Sequence, residues 1–182
     1  QGAHLHDIRA GLSGFLPTWD SAPGRLNHID VNGVHGFVDY AHNASGLRAL
    51  GEFLLSYLEG LSKSSTDVAR RRCIGVIGIA GDRRDEDIVE LGRTAAEFFD
   101  VIVIREDVKR RGRDKGEVAA LIEQGVRDRP DSRAREVTTI LDEVAAAKYA
   151  LAVANPGDVV AVMGDHMANL AETLMAAAHA AD

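Results

Sequence analysis

The sequence predicts an α/β fold: a doubly wound, mostly parallel sheet with an antiparallel hairpin at one edge and helices on both faces. Two observations lead to this prediction. From Ala44 onward, short apolar segments alternate with longer segments of helical periodicity, which is typical of parallel strands covered on both faces. Before Ala44, two short β-like runs flank Asn32-Gly33, and Asn-Gly between such runs is the strongest short-range hairpin signal.

The first predicted element is a helix over Ala3–Phe15, where apolar residues recur at helical spacing. A polar connection that contains prolines follows, and the hairpin strands are predicted at Leu26–Val31 and Val34–Asp39. We expect residues 1–21 to be a lead-in helix and linker from a preceding domain. Residues 22–182 are then expected to form a single domain.

The remaining segments are predicted to alternate helix and strand in a Rossmann-like order. Helices are assigned where apolar residues lie three or four positions apart, and strands where a short run is apolar throughout or sits between turn signals. The predicted elements are helix Ala44–Leu61, strand Cys73–Ile79, helix Glu86–Phe98, strand Val101–Ile104, helix Gly116–Arg127, strand Glu136–Thr139, helix Leu141–Ala154, strand Val159–Met163 and helix Met167–Ala180. Between the first of these helices and its strand, Ser62–Arg72 is predicted to be a polar loop.

Composition excludes several classes of protein. The chain has 182 residues, of which 46% are hydrophobic and 27% charged, so disorder does not describe it as a whole. No apolar run approaches the roughly 20 residues of a membrane helix, and a net charge of −7 argues against a nucleic-acid partner. The single cysteine, Cys73, is interpreted as a core residue and favours a reducing, cytoplasmic compartment. A homo-oligomer remains open.

Ligands of an open parallel sheet bind at the carboxyl ends of its strands. Four polar or glycine-rich stretches follow predicted strands: Asp39–Asn43, Gly78–Asp87, Arg105–Lys115 and Gly164–Asn169. In the first, Asp39 could hold a ribose hydroxyl and His42 and Asn43 could orient a phosphate. The alternative is that Asn43 caps the next helix and His42 is simply exposed.

The other stretches also allow two interpretations. The glycines of Gly78–Asp85 do not complete a dinucleotide fingerprint, so this segment is either a phosphate-binding turn or a tight strand-to-helix connection. The basic run Arg105–Lys115 is either an anion-binding rim or a solvated face. We predict no metal site, because histidines and cysteines lack zinc spacing and the carboxylates of Asp82–Asp87 are typical of a helix start.

Three motifs together resemble the C-terminal domain of the Mur ligase superfamily, which includes peptidoglycan amino-acid ligases and folylpolyglutamate synthetase. They are Pro23-Gly24-Arg25-Leu26-Asn27, Val38-Asp39-Tyr40-Ala41-His42-Asn43 and Gly81-Asp82-Arg83-Arg84-Asp85-Glu86-Asp87. Arg105-Glu106-Asp107, Arg111-Gly112-Arg113 and Gly116-Glu117-Val118-Ala119 extend the resemblance to the Mur-ligase-like region of the cyanophycin synthetases.

The resemblance implies an ATP-dependent ligase that activates a carboxylate as an acyl phosphate, which an amine then displaces to form an amide. For a cyanophycin-type enzyme the amine is that of arginine, joined to an aspartate side-chain carboxylate. The resemblance implies that Arg25 and Asp39 bind ATP and that His42 and Asn43 are catalytic. It implies a substrate-binding role for Asp82, Arg83, Glu106, Asp107, Arg111, Arg113, Asp165 and His166.

Two departures from the family pattern affect these expectations. Ala44 stands where the family usually has proline after His-Asn, and the sequence contains no Gly-Lys-Ser/Thr phosphate loop. In the family, that loop and most Mg²⁺ ligands belong to a central domain. We therefore expect the N-terminal and central ligase domains as partners and an isolated domain without activity. A peptidoglycan-precursor ligase of the same superfamily and a non-catalytic binding module remain alternatives.

Overall fold

A computed structural model describes residues 2, 4–13, 18–19, 21–63 and 71–179. Its helices and strands follow the predicted order. They are α1 Leu5–Ser13, β1 Asn27–Val31, β2 Val34–Asp39, α2 Ala44–Lys63, β3 Cys73–Ile77, α3 Asp85–Phe98, β4 Val101–Ile104, α4 Glu117–Arg127, β5 Glu136–Thr139, α5 Glu143–Val153, β6 Val159–Met163 and α6 Met167–His179. Most of the predicted loop Ser62–Arg72, the connection around Pro17 and the predicted last helical residue, Ala180, lie outside the described residues.

The described strands form a single six-stranded sheet in the order β1-β2-β6-β3-β4-β5. All neighbouring pairs are parallel except β1 and β2, which pair antiparallel at one edge. The predicted fold class is therefore confirmed. The chain builds outward from β3 to β5 and then returns through α5, so that β6 enters between β2 and β3.

The edge hairpin turns at Asn32-Gly33, as predicted. Both residues have positive φ, 54° and 82°, which is the conformation that a type I′ turn requires at its two central positions. The turn sets the register of Val31 opposite Val34 and Asn27 opposite Val38. This register places Asn27 beside the end of β2, where it organises the candidate site described below.

Helices cover both faces of the sheet, and each face has its own apolar core. Buried side chains of α2, α3 and α4 pack on one face with Phe37 and Ile102. Those of α5 and α6 pack on the other face with Val76 and Val160. Strands β3, β4 and β6 are buried at every position, because they are covered on both sides.

Several predicted boundaries differ from the observed ones by one or two residues, and two of these differences have a local reason. The predicted strand Cys73–Ile79 ends at Ile77, since beyond that point the side chain of Arg105 occupies the space beside Gly78. The predicted helix Leu141–Ala154 begins at Glu143 because Asp142 is its N-cap and accepts the amide N–H of Ala145 at 2.8 Å.

The amino end of the sheet is held by buried acid–arginine pairs. Asp158 binds the Arg72 guanidinium at 2.7 Å, and Asp100 binds Arg133 at 3.0 Å and accepts the amide of Cys73. Burial raises the pKa of the Cys73 thiol to about 12, consistent with its predicted place in the core. None of the described helices combines the length and apolarity that crossing a membrane demands.

Candidate functional site

Four loops that follow β2, β6, β3 and β4 meet at the carboxyl edge of the sheet, because these strands are consecutive neighbours. Together with the segment before β1 they enclose a cleft of about 340 Å³. Four arginines line it: Arg25, Arg83, Arg105 and Arg111. Asp165 is the one acidic residue among the described residues that line this cleft. Such a surface favours an anionic ligand.

The loop that carries Arg25 is fixed by two side chains. Asn27, almost fully buried, accepts the amide of Gly24 at 2.6 Å and donates to the carbonyl oxygen of Ala22 at 3.0 Å. Asp39 accepts the amides of Leu26 at 2.9 Å and Ala41 at 2.8 Å, one on each carboxylate oxygen. Each oxygen keeps a further lone pair for a ligand, but the bonds shown are to the backbone.

The Arg25 guanidinium lies over the ring of Tyr40, 5.4 Å from its centroid, in a cation–π arrangement. Gly24 has a φ of 72°. A Cβ at this position would lie 2.7 Å from the sulfur of Met167 and 2.8 Å from the Tyr40 ring. Glycine therefore allows the Arg25 loop to pack against the start of α6, which places Arg25 at the mouth of the cleft.

His42 and Asn43, the predicted catalytic pair, are both exposed at the start of α2. His42 Nδ1 donates to the carbonyl oxygen of Tyr40 at 3.0 Å, so the Nε2 atom of the neutral ring is an acceptor. Asn43 Oδ1 accepts the amide of Gly46 at 2.8 Å, which makes Asn43 the N-cap of α2. The capping interpretation is confirmed, and the ring of His42 lines the cleft.

The turn after β3 is held in place by Arg113. Its guanidinium donates to the carbonyl oxygens of Gly81 and Arg83 at 2.7 Å, and to the carboxylates of Asp85 at 2.6 Å and Glu117 at 2.7 Å. These bonds engage all three of its nitrogens. Arg113, predicted to bind substrate, therefore clamps the turn instead of projecting into the cleft.

Arg111 and Arg83, which lie close to Arg113, line the cleft itself. Arg111 donates to Asp82 at 2.6 Å, and this hydrogen bond holds the pKa of the Asp82 carboxyl below its usual range. Arg83 lines the cleft, and its side chain donates no hydrogen bond to any residue that the structure describes. Its guanidinium group is therefore available to an incoming anion.

A buried charged group closes the base of the cleft, and one of its members, Glu143, was not predicted from the sequence. Arg105, 3% exposed, donates to the carboxylate of Asp165 at 2.5 Å and lies 3.4 Å from that of Glu143. Glu143, 8% exposed, also accepts the amides of Asp165 at 2.7 Å and His166 at 3.1 Å. The signal for Glu143 was its position directly after a helix cap beyond β5, at the same edge of the sheet as the other loops.

Glu106 and Asp107 line a different cavity of about 340 Å³, between the loops that follow β4 and β5. The Glu106 carboxylate accepts the amide of Gly116 at 3.0 Å and anchors the start of α4, while Asp107 accepts the amide of Lys109 at 2.8 Å. The structure thus separates these two predicted substrate-binding residues from Asp165. His166 is exposed at the start of α6.

The donor set suits phosphate groups better than a metal ion. Arg25, Arg83 and His42 are arranged around one cleft and could bind the phosphates of a nucleotide such as ATP. Among the described residues, no cluster of three or more His, Cys, Asp or Glu side chains is arranged to hold a metal ion.

The sequence matches that of known ligase domains over most of its length. The profile of the family described as "Mur ligase, glutamate ligase domain" matches residues 24–166. A cyanophycin synthetase from Crocosphaera subtropica is 38% identical over 162 residues, which cover 89% of this chain and 17% of the relative. A UDP-N-acetylmuramoyl-L-alanyl-D-glutamate–2,6-diaminopimelate ligase from Gloeobacter violaceus is 32% identical, with 90% of this chain and 29% of the relative covered.

A comparison with solved structures agrees on the fold. The bifunctional folylpolyglutamate synthase/dihydrofolate synthase from Yersinia pestis, solved with AMPPNP and a Mn ion, superposes with a TM-score of 0.64 at 21% identity. The match covers 97% of this chain and 35% of that one. The chain therefore spans less than a third of the length of the two ligases named above and about a third of the synthase.

Proposed function

This chain belongs to the Mur ligase glutamate ligase domain family, and we propose that it is the C-terminal domain of an ATP-dependent carboxylate–amine ligase. We further propose that the ligase is a cyanophycin synthetase, supported by the 38% identity to an enzyme of that name. In this proposal residues 22–182 are the substrate-binding domain and residues 1–21 lead into it from a preceding domain.

The observation that carries the proposal is the cleft with four arginines at the carboxyl edge of the sheet. Arg25 and Arg83 present guanidinium groups at its mouth, and guanidinium binds phosphate through two parallel hydrogen bonds. We propose that these residues and His42 contact the phosphates of ATP. Asp39 fixes the Arg25 loop, and its remaining lone pairs are available to a ribose hydroxyl.

The proposed reaction has two steps. A substrate carboxylate attacks the γ-phosphorus of ATP, which forms an acyl phosphate and releases ADP. The amine of the incoming amino acid then attacks the acyl carbon, inorganic phosphate leaves, and the amine loses a proton as the amide forms. Central-domain residues would supply the phosphate loop and hold Mg²⁺, which offsets charge on the phosphates. This domain positions the nucleotide and the amine.

We propose arginine as the incoming amino acid and an aspartate side chain as the carboxylate. Glu106 and Asp107 line a cavity beside the cleft together with Asp142, Arg110 and Lys115, and carboxylates are the natural partners of a guanidinium. The similarity to the diaminopimelate ligase from Gloeobacter violaceus supports a second candidate, a peptidoglycan-precursor ligase. The two candidates differ in the amine that they join to the carboxylate.

The proposal is tested in the full-length ligase with an aspartate-rich primer, ATP and L-arginine, by following ADP and amide product. Arg83→Ala is expected to lower kcat/KM for ATP about tenfold, because it removes one charge-assisted hydrogen bond to a phosphate. A tenfold loss corresponds to about 1.4 kcal/mol of transition-state stabilisation. The matched control is Arg84→Ala, because Arg84 is 77% exposed and pairs with Asp87.

Three outcomes are decisive. ATP-dependent amide formation that weakens in the Arg83 variant alone supports the proposal. Product with diaminopimelate and a muramoyl peptide, but not with arginine, replaces the cyanophycin assignment by the second candidate. No ATP consumption with either set of substrates leaves a non-catalytic binding module and overturns the proposal.

A further inference from the structure

Glu143 is a buried carboxylate that the proposed chemistry does not use. It is the first residue of α5, yet its side chain reaches the loop after β6. There it accepts the consecutive amides of Asp165 and His166 and lies 3.4 Å from Arg105. A buried charge is costly in free energy unless it is paired and hydrogen-bonded. The contacts of Glu143 are to the turn after β6 and to Arg105, which binds Asp165 of the same turn.

The surrounding backbone leaves room for this arrangement. A Cβ at Gly164 would lie 3.2 Å from the Glu143 carboxylate and 2.0 Å from Leu170, and a Cβ at Gly78 would lie 2.7 Å from Arg105 Nε. Arg105 also donates through Nε to the carbonyl oxygen of Met163 at 3.1 Å. The absence of a side chain just after β6 and just after β3 therefore makes room for the charged group, as expected for a tightly packed unit.

The consequence is a fixed direction for the Asp165 side chain. One of its carboxylate oxygens is held by Arg105, while the side chain remains 36% exposed and lines the cleft. Among the described lining residues it is the one negative charge beside four arginines. Its second carboxylate oxygen accepts no hydrogen bond from any residue that the structure describes, and a carboxylate oxygen is a natural hydrogen-bond acceptor for an ammonium group.

We propose that Glu143 is a positioning residue: it fixes the turn at Asp165 and His166 so that Asp165 receives the ammonium group of the incoming amino acid. This inference rests on the proposed ligase function and adds to it the group that meets the amine. Glu143 itself contacts no substrate. It acts through the two backbone amides and Arg105.

A double-mutant cycle in the full-length ligase tests the proposal, with L-arginine and an aspartate-rich primer as substrates. Glu143→Gln and Asp165→Asn are each expected to raise KM for arginine about tenfold and to leave KM for ATP within twofold. The double variant is expected to equal Asp165→Asn, because residues that act through one contact are not additive.

Asp158→Asn is the matched control. Asp158 is likewise a buried carboxylate that pairs with an arginine, Arg72, and accepts backbone amides, those of Arg72 and Asn155. It lies at the opposite end of β6, far from the turn. We expect Asp158→Asn and Glu143→Gln to lower thermal stability to a similar degree, and only Glu143→Gln to change KM for arginine. This result would show that the effect of Glu143 on KM comes from positioning and not from a general loss of stability.

The outcomes distinguish the two proposals. Wild-type enzyme that forms no product refutes the ligase function. Active wild-type enzyme with an unchanged KM for arginine in Glu143→Gln, or with additive effects in the double variant, overturns the role of Glu143. If Glu143→Gln does not fold, hydrogen exchange of the wild-type chain decides: fast exchange of the Asp165 and His166 amides contradicts the proposal, and slow exchange supports it.

Discussion

At the residue scale, the polar side chains around the cleft divide into those that hold backbone and those that face a ligand. Asp39, Asn43 and Arg113 bind backbone atoms of neighbouring loops, whereas Arg25 and Arg83 line the cleft. The sequence singled out all five without separating the two groups. The same residue types serve both roles, and the distinction depends on which loop comes within about 3 Å.

Asn43 provides a test of this division. Asn43→Ala is expected to lower the free energy of unfolding by about 1 kcal/mol, because the amide of Gly46 loses its acceptor at the start of α2. Asn43→Asp should remain close to wild type, since a carboxylate at the N-cap keeps the acceptor and interacts favourably with the helix dipole. Urea titration of the three proteins measures the differences. Equal stabilities for all of them would contradict the capping role.

At the element scale, periodicity predicted every helix and strand but not how closely they approach. Helices α3 and α4 show the difference. A Cβ at Gly92 would lie 2.1 Å from the carbonyl oxygen of Ile122, and one at Gly125 would lie 2.0 Å from that of Val89. A glycine inside a predicted helix does not by itself indicate that another helix packs closely against it. Its function here, to let two backbones touch, becomes evident only once the neighbouring helix is in place.

A pair of glycine substitutions tests the importance of this contact. Gly125→Ala is expected to lower the free energy of unfolding by about 2 kcal/mol, because overpacking outweighs the better helix propensity of alanine. Gly60→Ala on α2 should instead stabilise the protein by about 0.5 kcal/mol, since no described atom lies within 4 Å of the added carbon. Chemical denaturation followed by circular dichroism compares them. Stabilisation by both substitutions would show that the α3–α4 contact relaxes freely.

At the scale of the whole molecule, the strand order explains both what the sequence could predict and what it could not. The rule that ligands bind at the carboxyl ends of parallel strands predicts from the sequence alone that Asp39, Arg83, Arg105 and Asp165 lie at one edge. Glu143 was not predicted because it follows β5, the outermost strand of the sheet, which lies three strands away from β6. Only the return of α5 across the sheet, which brings β6 between β2 and β3, carries Glu143 to the loop after β6.

The arrangement of the whole domain also predicts binding without turnover. The described cleft supplies arginines for phosphate, but the sequence has no Gly-Lys-Ser/Thr loop to cradle the transferred group. We expect the 182-residue chain to bind ATP weakly and to form no ADP. Calorimetric titration should show that affinity falls about tenfold when the ionic strength rises from about 0.05 to about 0.5 M, because salt screens partly exposed arginines. The Arg84→Ala variant should bind as wild type and Arg83→Ala more weakly. Steady ADP formation by this chain alone would contradict a purely positioning role and would place phosphoryl-transfer groups within the domain itself.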